Sequence, residues 1–285
     1  MLQSSILENL IMVIPEIVDY HSPKSNLYIL LKEVAKKEVG MLFGSTEERP
    51  VRVNPFGNLV FPYFKMGAID SINLFDIDEF LMFSFYYINR GKYKKVLDIG
   101  ANIGLHSIIL SKCGYEVFSF EPDPRHYQMM KRNIDLNECK NVHLGNAAVS
   151  NKSGQMEFIR VLGNTTSSHL AGAKKNPYGE LERFKVDVVD INQYVNKIDL
   201  IKLDAEGHEK EILLSTKLEA WLNIDAFVEV ENAENAEAIY NYFLISSINL
   251  FSQKKNWQKV DCLDDMPTSY HDGSLFISSK KQMPW

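Results

Sequence analysis

The run VLDIGANIGLHSI, Val96 to Ile108, puts a carboxylate, Asp98, at the end of an apolar stretch, followed by Gly100, Asn102 and Gly104 where the chain must turn into a helix. Glycine permits a sharp reversal there and lets a ligand approach the backbone without side-chain interference. The dinucleotide pattern G-x-G-x-x-G is missing, because Asn102 stands at its second glycine and the helix start supplies no third. A carboxylate at the entrance suits an ammonium group better than a phosphate. About twenty residues after Gly100, Glu121 ends the next strand-like run, where an acid accepts hydrogen bonds from both ribose hydroxyls. A ligand with an ammonium, a ribose and no phosphate answers both ends of this unit, and S-adenosylmethionine is such a ligand.

A second group of ionisable residues lies in DLIKLDAEGHE, Asp199 to Glu209. Ligands of open α/β sheets bind outside the carboxyl ends of the strands, so Asp204, Glu206 and His208 are expected to project into the same crevice as Asp98. His208 is the most economical general base, since the reference pKa of histidine lies near operating pH. Asp204 and Glu206 accompany it as candidate catalytic groups, with His106, His169 and His271 as rival bases. Glu206 and Glu209 also occupy the first turn of the next helix, where carboxylates favour the positive end of the dipole. Asp204 with Glu231 and Asn232, at the tip of the neighbouring strand, offers oxygen ligands that a hard cation such as magnesium accepts.

The elements that must position these residues are legible from Lys95 onward, where strand-like and helix-like segments alternate as in a sheet covered on both faces. Strands are expected at 96–99, 116–121, 142–145, 199–203 and 226–231, with helices at 104–113, 124–136, 206–214 and 233–244. Two further strands, 248–252 and 274–279, read as an antiparallel edge pair. The alternation breaks between Val149 and Val195: 155–161 and 184–189 are strand-like, and 162–179 is a polar loop rich in Gly, Asn, Thr and Ser. A loop of that length is more often functional than accidental. Its residues Asn164 to His169 suit a polyhydroxylated acceptor, and Trp221, Trp257 and Tyr270 are aromatic groups of the kind that stack on a sugar face. The first ninety residues read as helices at 6–19 and 26–37, a hairpin at 51–61 turned at Pro55 to Asn58, and a helix at 76–89, with no chemistry-bearing motif.

Bulk properties bound the alternatives. A chain of 285 residues with 45% hydrophobic and 24% charged residues is an ordinary globular composition, large enough for one α/β core with a smaller accessory region. A net charge of −6 without a Lys/Arg-rich run argues against bulk nucleic acid as a partner. Three scattered cysteines suggest neither a disulfide framework nor a zinc site. The N-terminus lacks the basic start of a secretory signal and no run is long enough to span a membrane, so a cytoplasmic location is expected; association into a homo-oligomer stays open.

Five blocks in order, LDIGANIGLHSI, FEPDP, AAVSNKSG, VDVVDI and DLIKLDAEGHEKEIL, resemble the FkbM family of S-adenosylmethionine-dependent methyltransferases over about Lys95 to Glu231. The resemblance implies a class I methyltransferase Rossmann-like fold: a seven-stranded, mostly parallel sheet with an antiparallel C-terminal strand, here with a smaller N-terminal helical and hairpin cap over residues 1–90. It implies methyl transfer to a hydroxyl or carboxyl of a sugar, glycan precursor or secondary metabolite. Carried over by position, Asp98, Gly100, Asn102 and Gly104 surround the methionine part, Glu121 the ribose and Asn146 or Ala147 the adenine edge, with Asp204 beside them. Two other classes compete: a nicotinamide-dependent oxidoreductase, which needs the missing third glycine, and a non-catalytic nucleoside-binding module.

Overall fold

The computed structural model describes residues 2–174 and 179–285. The N-terminal region holds three helices, α1 (Ser5–Val13), α2 (Asn26–Phe43) and α3 (Ile77–Ile88). Pro15 stops α1, and the chain continues as a tighter 3₁₀ turn, Ile14–Tyr20, in place of the single helix expected over 6–19. The hairpin at 51–61 forms, with Val51–Arg52 paired antiparallel to Asn58–Leu59. Asp76 caps α3 through its side chain, and its apolar run buries Phe80, Phe83, Phe85 and Tyr86.

From Lys95 the chain builds strands β1 (Lys95–Ile99), β2 (Glu116–Phe120) and β3 (Val142–Gly145), linked by α4 (Leu105–Lys112) and α5 (Pro124–Leu136). A second sheet follows from β4 (Ala148–Ser150), β5 (Gly154–Val161), β6 (His169–Leu170) and β7 (Leu181–Asp190), in the order β6-β5-β7-β4. The main sheet resumes with β8 (Leu200–Leu203), α6 (Glu209–Leu214), β9 (Asp225–Val228), α7 (Ala233–Leu244), β10 (Asn249–Ser252), β11 (Gln258–Lys259) and β12 (Leu275–Ser278). Its order is β11-β10-β12-β9-β8-β1-β2-β3. The strands from β9 to β3 run parallel, and β12 is antiparallel to both its neighbours.

Two expectations about this sheet change. Among the described residues it has eight strands, the extra one being the two-residue β11 at the edge. The pair β10 and β12 is antiparallel but β12 is interior, inserted between β9 and β10, because all four of its residues are apolar or hydrogen-bonded enough to be buried on both faces.

Helices cover both faces. Leu105, Ile108 and Ile109 of α4 and Met130 of α5 pack with α1, α2 and α3 over Val96 and Leu200, so the N-terminal region shares a core with β1. The opposite face, Leu97, Ile99, Ile201 and Leu203, packs against Ile212 of α6 and Ile239 and Phe243 of α7. Among the described residues no helix is long and apolar enough to cross a membrane.

Candidate active site

A cavity of about 700 Å³ opens at the carboxyl ends of β1, β2, β8 and β9. Its wall combines Gly100 and Asn102 after β1, Glu121 after β2, Asp204, Glu206 and His208 after β8, and Glu229 and Glu231 after β9. The N-terminal region adds Asp76, Asp78, Glu79 and Met82 from α3 and its cap, and the loop between β5 and β7 adds Asn164 to Leu170 and Lys174. These two borders meet: Ala68 N donates to Gly163 O at 2.7 Å, and Gly67 bridges to Asn164. Residues 175–178 of the predicted polar loop lie outside the described residues.

The glycine turn works differently at each position. Gly100 has φ +73°, and a Cβ there would come within 1.8 Å of Asp204 O, so this glycine lets the ends of β1 and β8 touch. Gly104 starts α4 in the left-handed region and faces Met130 of α5, away from the cavity wall. Asn102 N donates to Glu121 Oε2 at 2.9 Å, while Asn102 Oδ1 is buried without a partner. The other oxygen of Glu121 accepts from Asp123 N at 2.8 Å. Burial pushes the Glu121 carboxyl up to about 8, against the pull of those two amides.

Asp98 is not in the wall. Period-two alternation turns its side chain under α4, where it is fully buried and accepts from Ser107 Oγ at 2.6 Å. Its cross-strand partner on the same face is Lys202 of β8, buried with Nζ 3.4 Å from both Gly100 O and Asp204 Oδ2. Burial alone would lower the Lys202 ammonium, but Asp204, Asp98, Glu79 and Glu229 surround it and raise it instead. Asp98 therefore balances a buried lysine from beneath the cavity. Sequence reasoning passed over Lys202 and Glu229; the available signal was a lysine inside the otherwise apolar run DLIKL.

The segment DAEGHE divides by function. Glu206 and Gly207 both adopt positive φ, and Glu209 turns back to hold that loop, accepting from Ala205 N at 3.1 Å, Gly207 N at 2.9 Å and Asn235 Nδ2 at 2.6 Å. Asp204, Glu206 and His208 reach the cavity, as expected. His208 Nε2 shares a hydrogen bond with Ser150 Oγ at 2.8 Å, and burial lowers its pKa, so the ring is neutral near pH 7.

The metal ligand set does not assemble. Lys174 Nζ lies 2.5 Å from Glu206 Oε2 and 2.9 Å from Glu231 Oε1, so Glu231 already binds a cation of the chain itself. Asn232 caps α7, accepting from Asn235 N at 2.9 Å. Among the described residues no three metal-ligating side chains converge.

Other expected residues are redistributed. Asn146 is exposed and donates to Glu121 O and Pro122 O, bracing the turn after β2; Ala147 is in the core beside Ile191, although its neighbours Ala148 and Val149 do line the cavity. Trp221 and Trp257 are core residues, whereas Tyr270 is exposed at the rim. Of the rival bases, His169 lines the cavity and His106 lies behind it, its Nε2 2.5 Å from Glu79 Oε2. Asp123 of the FEPDP block anchors the second sheet through a bidentate pair with buried Arg160, 2.6 Å at each bond.

Residues 98–253, more than half of the chain, match the Methyltransferase FkbM domain. Methyltransferase sdnD of Sordaria araneosa is 31% identical, over 44% of this chain and 61% of its own length. The hexuronic acid methyltransferase AglP of Haloferax volcanii is 28% identical, over 41% of this chain and 47% of its own. The chain thus spans between about half and three fifths of these relatives. The solved S-adenosylmethionine-dependent methyltransferase of Agrobacterium tumefaciens aligns over 81% of this chain and 70% of its own with a TM-score of 0.41 at 9% identity. From the domain match, the chain belongs to the FkbM methyltransferase family.

Proposed function

We propose that this protein is an S-adenosylmethionine-dependent O-methyltransferase acting on a hydroxyl of a sugar, glycan precursor or secondary metabolite. The observation that carries the reading is Glu121, a carboxylate in the cavity wall oriented by the Asn102 and Asp123 amides, beside a glycine turn and the unpartnered Asn102 Oδ1. Those groups fit a ribose and a charged amino-acid tail, and the cavity volume suits a nucleoside together with an acceptor. When bound, the cofactor supplies an electrophilic methyl group.

Gly100, Asn102 and Glu121 would hold the cofactor, and the remaining wall aligns the acceptor, a positioning effect that accounts for much of the rate in a displacement of this kind. The cap residues of α3 and the β5–β7 loop exclude water and select the acceptor. Asp204, Glu206 and His208 are the groups placed to take the hydroxyl proton. His208 holds the charge state a base needs, with Ser150 fixing its ring.

Calorimetry with S-adenosylhomocysteine tests the cofactor site. Micromolar affinity is expected, and Glu121→Gln should weaken it about ten- to hundredfold, the size of one or two lost charge-assisted hydrogen bonds. Unchanged affinity removes Glu121 from the site. Labelled cofactor incubated with nucleotide-activated sugars and small-molecule extracts identifies the acceptor by product mass; with that acceptor, a pH–rate profile unaltered in His208→Asn rules out His208 as the base.

A further inference from the structure

The acceptor half of the cavity is matched to a particular charge, an inference that rests on the methyltransferase reading. The described wall holds a single lysine ammonium and, apart from Glu121 in the cofactor half, seven carboxylates. That lysine, Lys174, is already clamped between Glu206 and Glu231. The three histidines of the wall, His126, His169 and His208, are each driven toward the neutral form by burial. No unpaired cation is therefore left among the described wall residues to receive an acidic ligand.

The unfilled hydrogen-bonding capacity has the same sign. His169 is 2% exposed, and its Nδ1 faces Ser167 O at 2.9 Å. A carbonyl only accepts, so Nδ1 carries the proton and Nε2 is a bare lone pair; that atom is buried with no partner. Glu229, its backbone N–H donating to Leu203 O, lines the cavity with a side chain that has no hydrogen-bond or ion-pair partner among the described residues. Burial, with Asp204 and Glu206 nearby, holds its carboxyl well above the usual range, so a cation beside it is what draws it into the ionised form. Buried acceptors left empty are costly, and a ligand that brings donors relieves that cost. A carboxylate brings only acceptors; a protonated amine brings three donors and a positive charge.

We propose that the acceptor site takes a polyhydroxylated molecule carrying a protonated amine, an amino sugar in chemical class, and rejects sugar acids. Glu229 is the charge partner of the amine, and His169 Nε2 and the clamped Glu206–Glu231 pair receive sugar hydroxyls.

The test uses the full chain saturated with S-adenosylhomocysteine and three probes, glucosamine, N-acetylglucosamine and glucuronate, measured by calorimetry and saturation-transfer NMR at a pH below the amine's pKa. Glucosamine should bind about tenfold or more tighter than the N-acetylated form, the worth of one charge-assisted contact, and glucuronate should give no detectable binding. Glu229→Gln should abolish the preference while leaving S-adenosylhomocysteine affinity unchanged. Glu206→Gln, which releases Lys174 from one carboxylate, should bring glucuronate binding into the detectable range. The proposal is overturned if glucuronate binds as well as glucosamine, if Glu229→Gln keeps the discrimination, or if the cofactor product binds and none of the sugars does. Failure of S-adenosylhomocysteine itself to bind removes the underlying reading, and this inference with it.

Discussion

The two faces of the three central strands, β1, β8 and β9, share a backbone and differ in nearly everything else. One face presents Leu97, Ile99, Ile201, Leu203, Ala226 and Val228 to α6 and α7, all apolar and all buried. The other sets Val96 and Leu200 beside the buried carboxylate of Asp225, which Tyr93, Ser278 and Lys280 hold, and then Asp98, Lys202 and Phe227 in its next row, with Glu229 just past β9. The ionic side is the one roofed by α3, whose Glu79 reaches the same charges. The face that serves only as core is uniform; the other carries charges that burial alone would expel, at Asp225 against the C-terminal tail and at Asp98, Lys202 and Glu229 beside the cavity. Such groups persist when each is paired or faces a ligand.

The largest test of this contrast is Lys202→Met. It leaves Asp98 and Asp204 without their common cation and should cost about 3–5 kcal/mol of unfolding free energy, the usual penalty for breaking a buried pair from one side. Adding Asp98→Asn should recover part of that loss, because the orphaned charge is removed. On the apolar face, Leu97→Ala with Ile201→Ala should recover nothing. Denaturant midpoints of the singles and doubles decide it; strict additivity for Asp98 and Lys202 would sink the pairing.

A smaller effect appears on changing pH. Burial pushes the Glu121 carboxyl up to about 8 in the folded protein against an ordinary value of 4.5. A raised folded-state pKa means the native state binds more protons than the unfolded chain, so stability present at low pH is lost as pH rises through the folded value. Between about 6.5, above which unfolded histidines no longer titrate, and 8, the ligand-free protein should lose stability with a slope approaching one proton per group. Glu121→Gln should flatten the slope. A midpoint that rises over that window contradicts the assignment.

The smallest change concerns the tip of β9. Asn232→Ala removes the α7 N-cap and should cost about 1 kcal/mol, with no new sensitivity of activity to chelators. If chelation inactivates the native enzyme and Asn232→Ala shifts its magnesium requirement, Asn232 is a ligand after all.

These contrasts also show where reading residues in order succeeds. Most strands and helices of the main sheet from Lys95 to Leu244 were legible because their periodicities are long and clean, whereas the two- and three-residue strands β6 and β4 are too short to show one and the helix expected at 206–214 begins only at Glu209; Glu121, Asp204, Glu206 and His208 were legible because strand ends deliver side chains to one crevice. Asp98 misled: its position beside the glycine turn says nothing about which face its side chain takes. Asn232 has a residue type that suits both a metal ligand and a helix cap, and its side chain is spent on the cap of α7.

The sequence by itself determined the alternating α/β framework, the departure from the dinucleotide pattern and the family, since all three reside in local order and spacing. Only the tertiary structure decided that α3 of the N-terminal region walls the cavity, that Lys202 stands opposite Asp98 across the ladder, that Lys174 closes on Glu206 and Glu231, and that β12 lies inside the sheet. The physical reason is one of distance: each of those features joins residues far apart in the chain, and charge, burial and hydrogen bonding act through space, where one-dimensional periodicity carries no record of them.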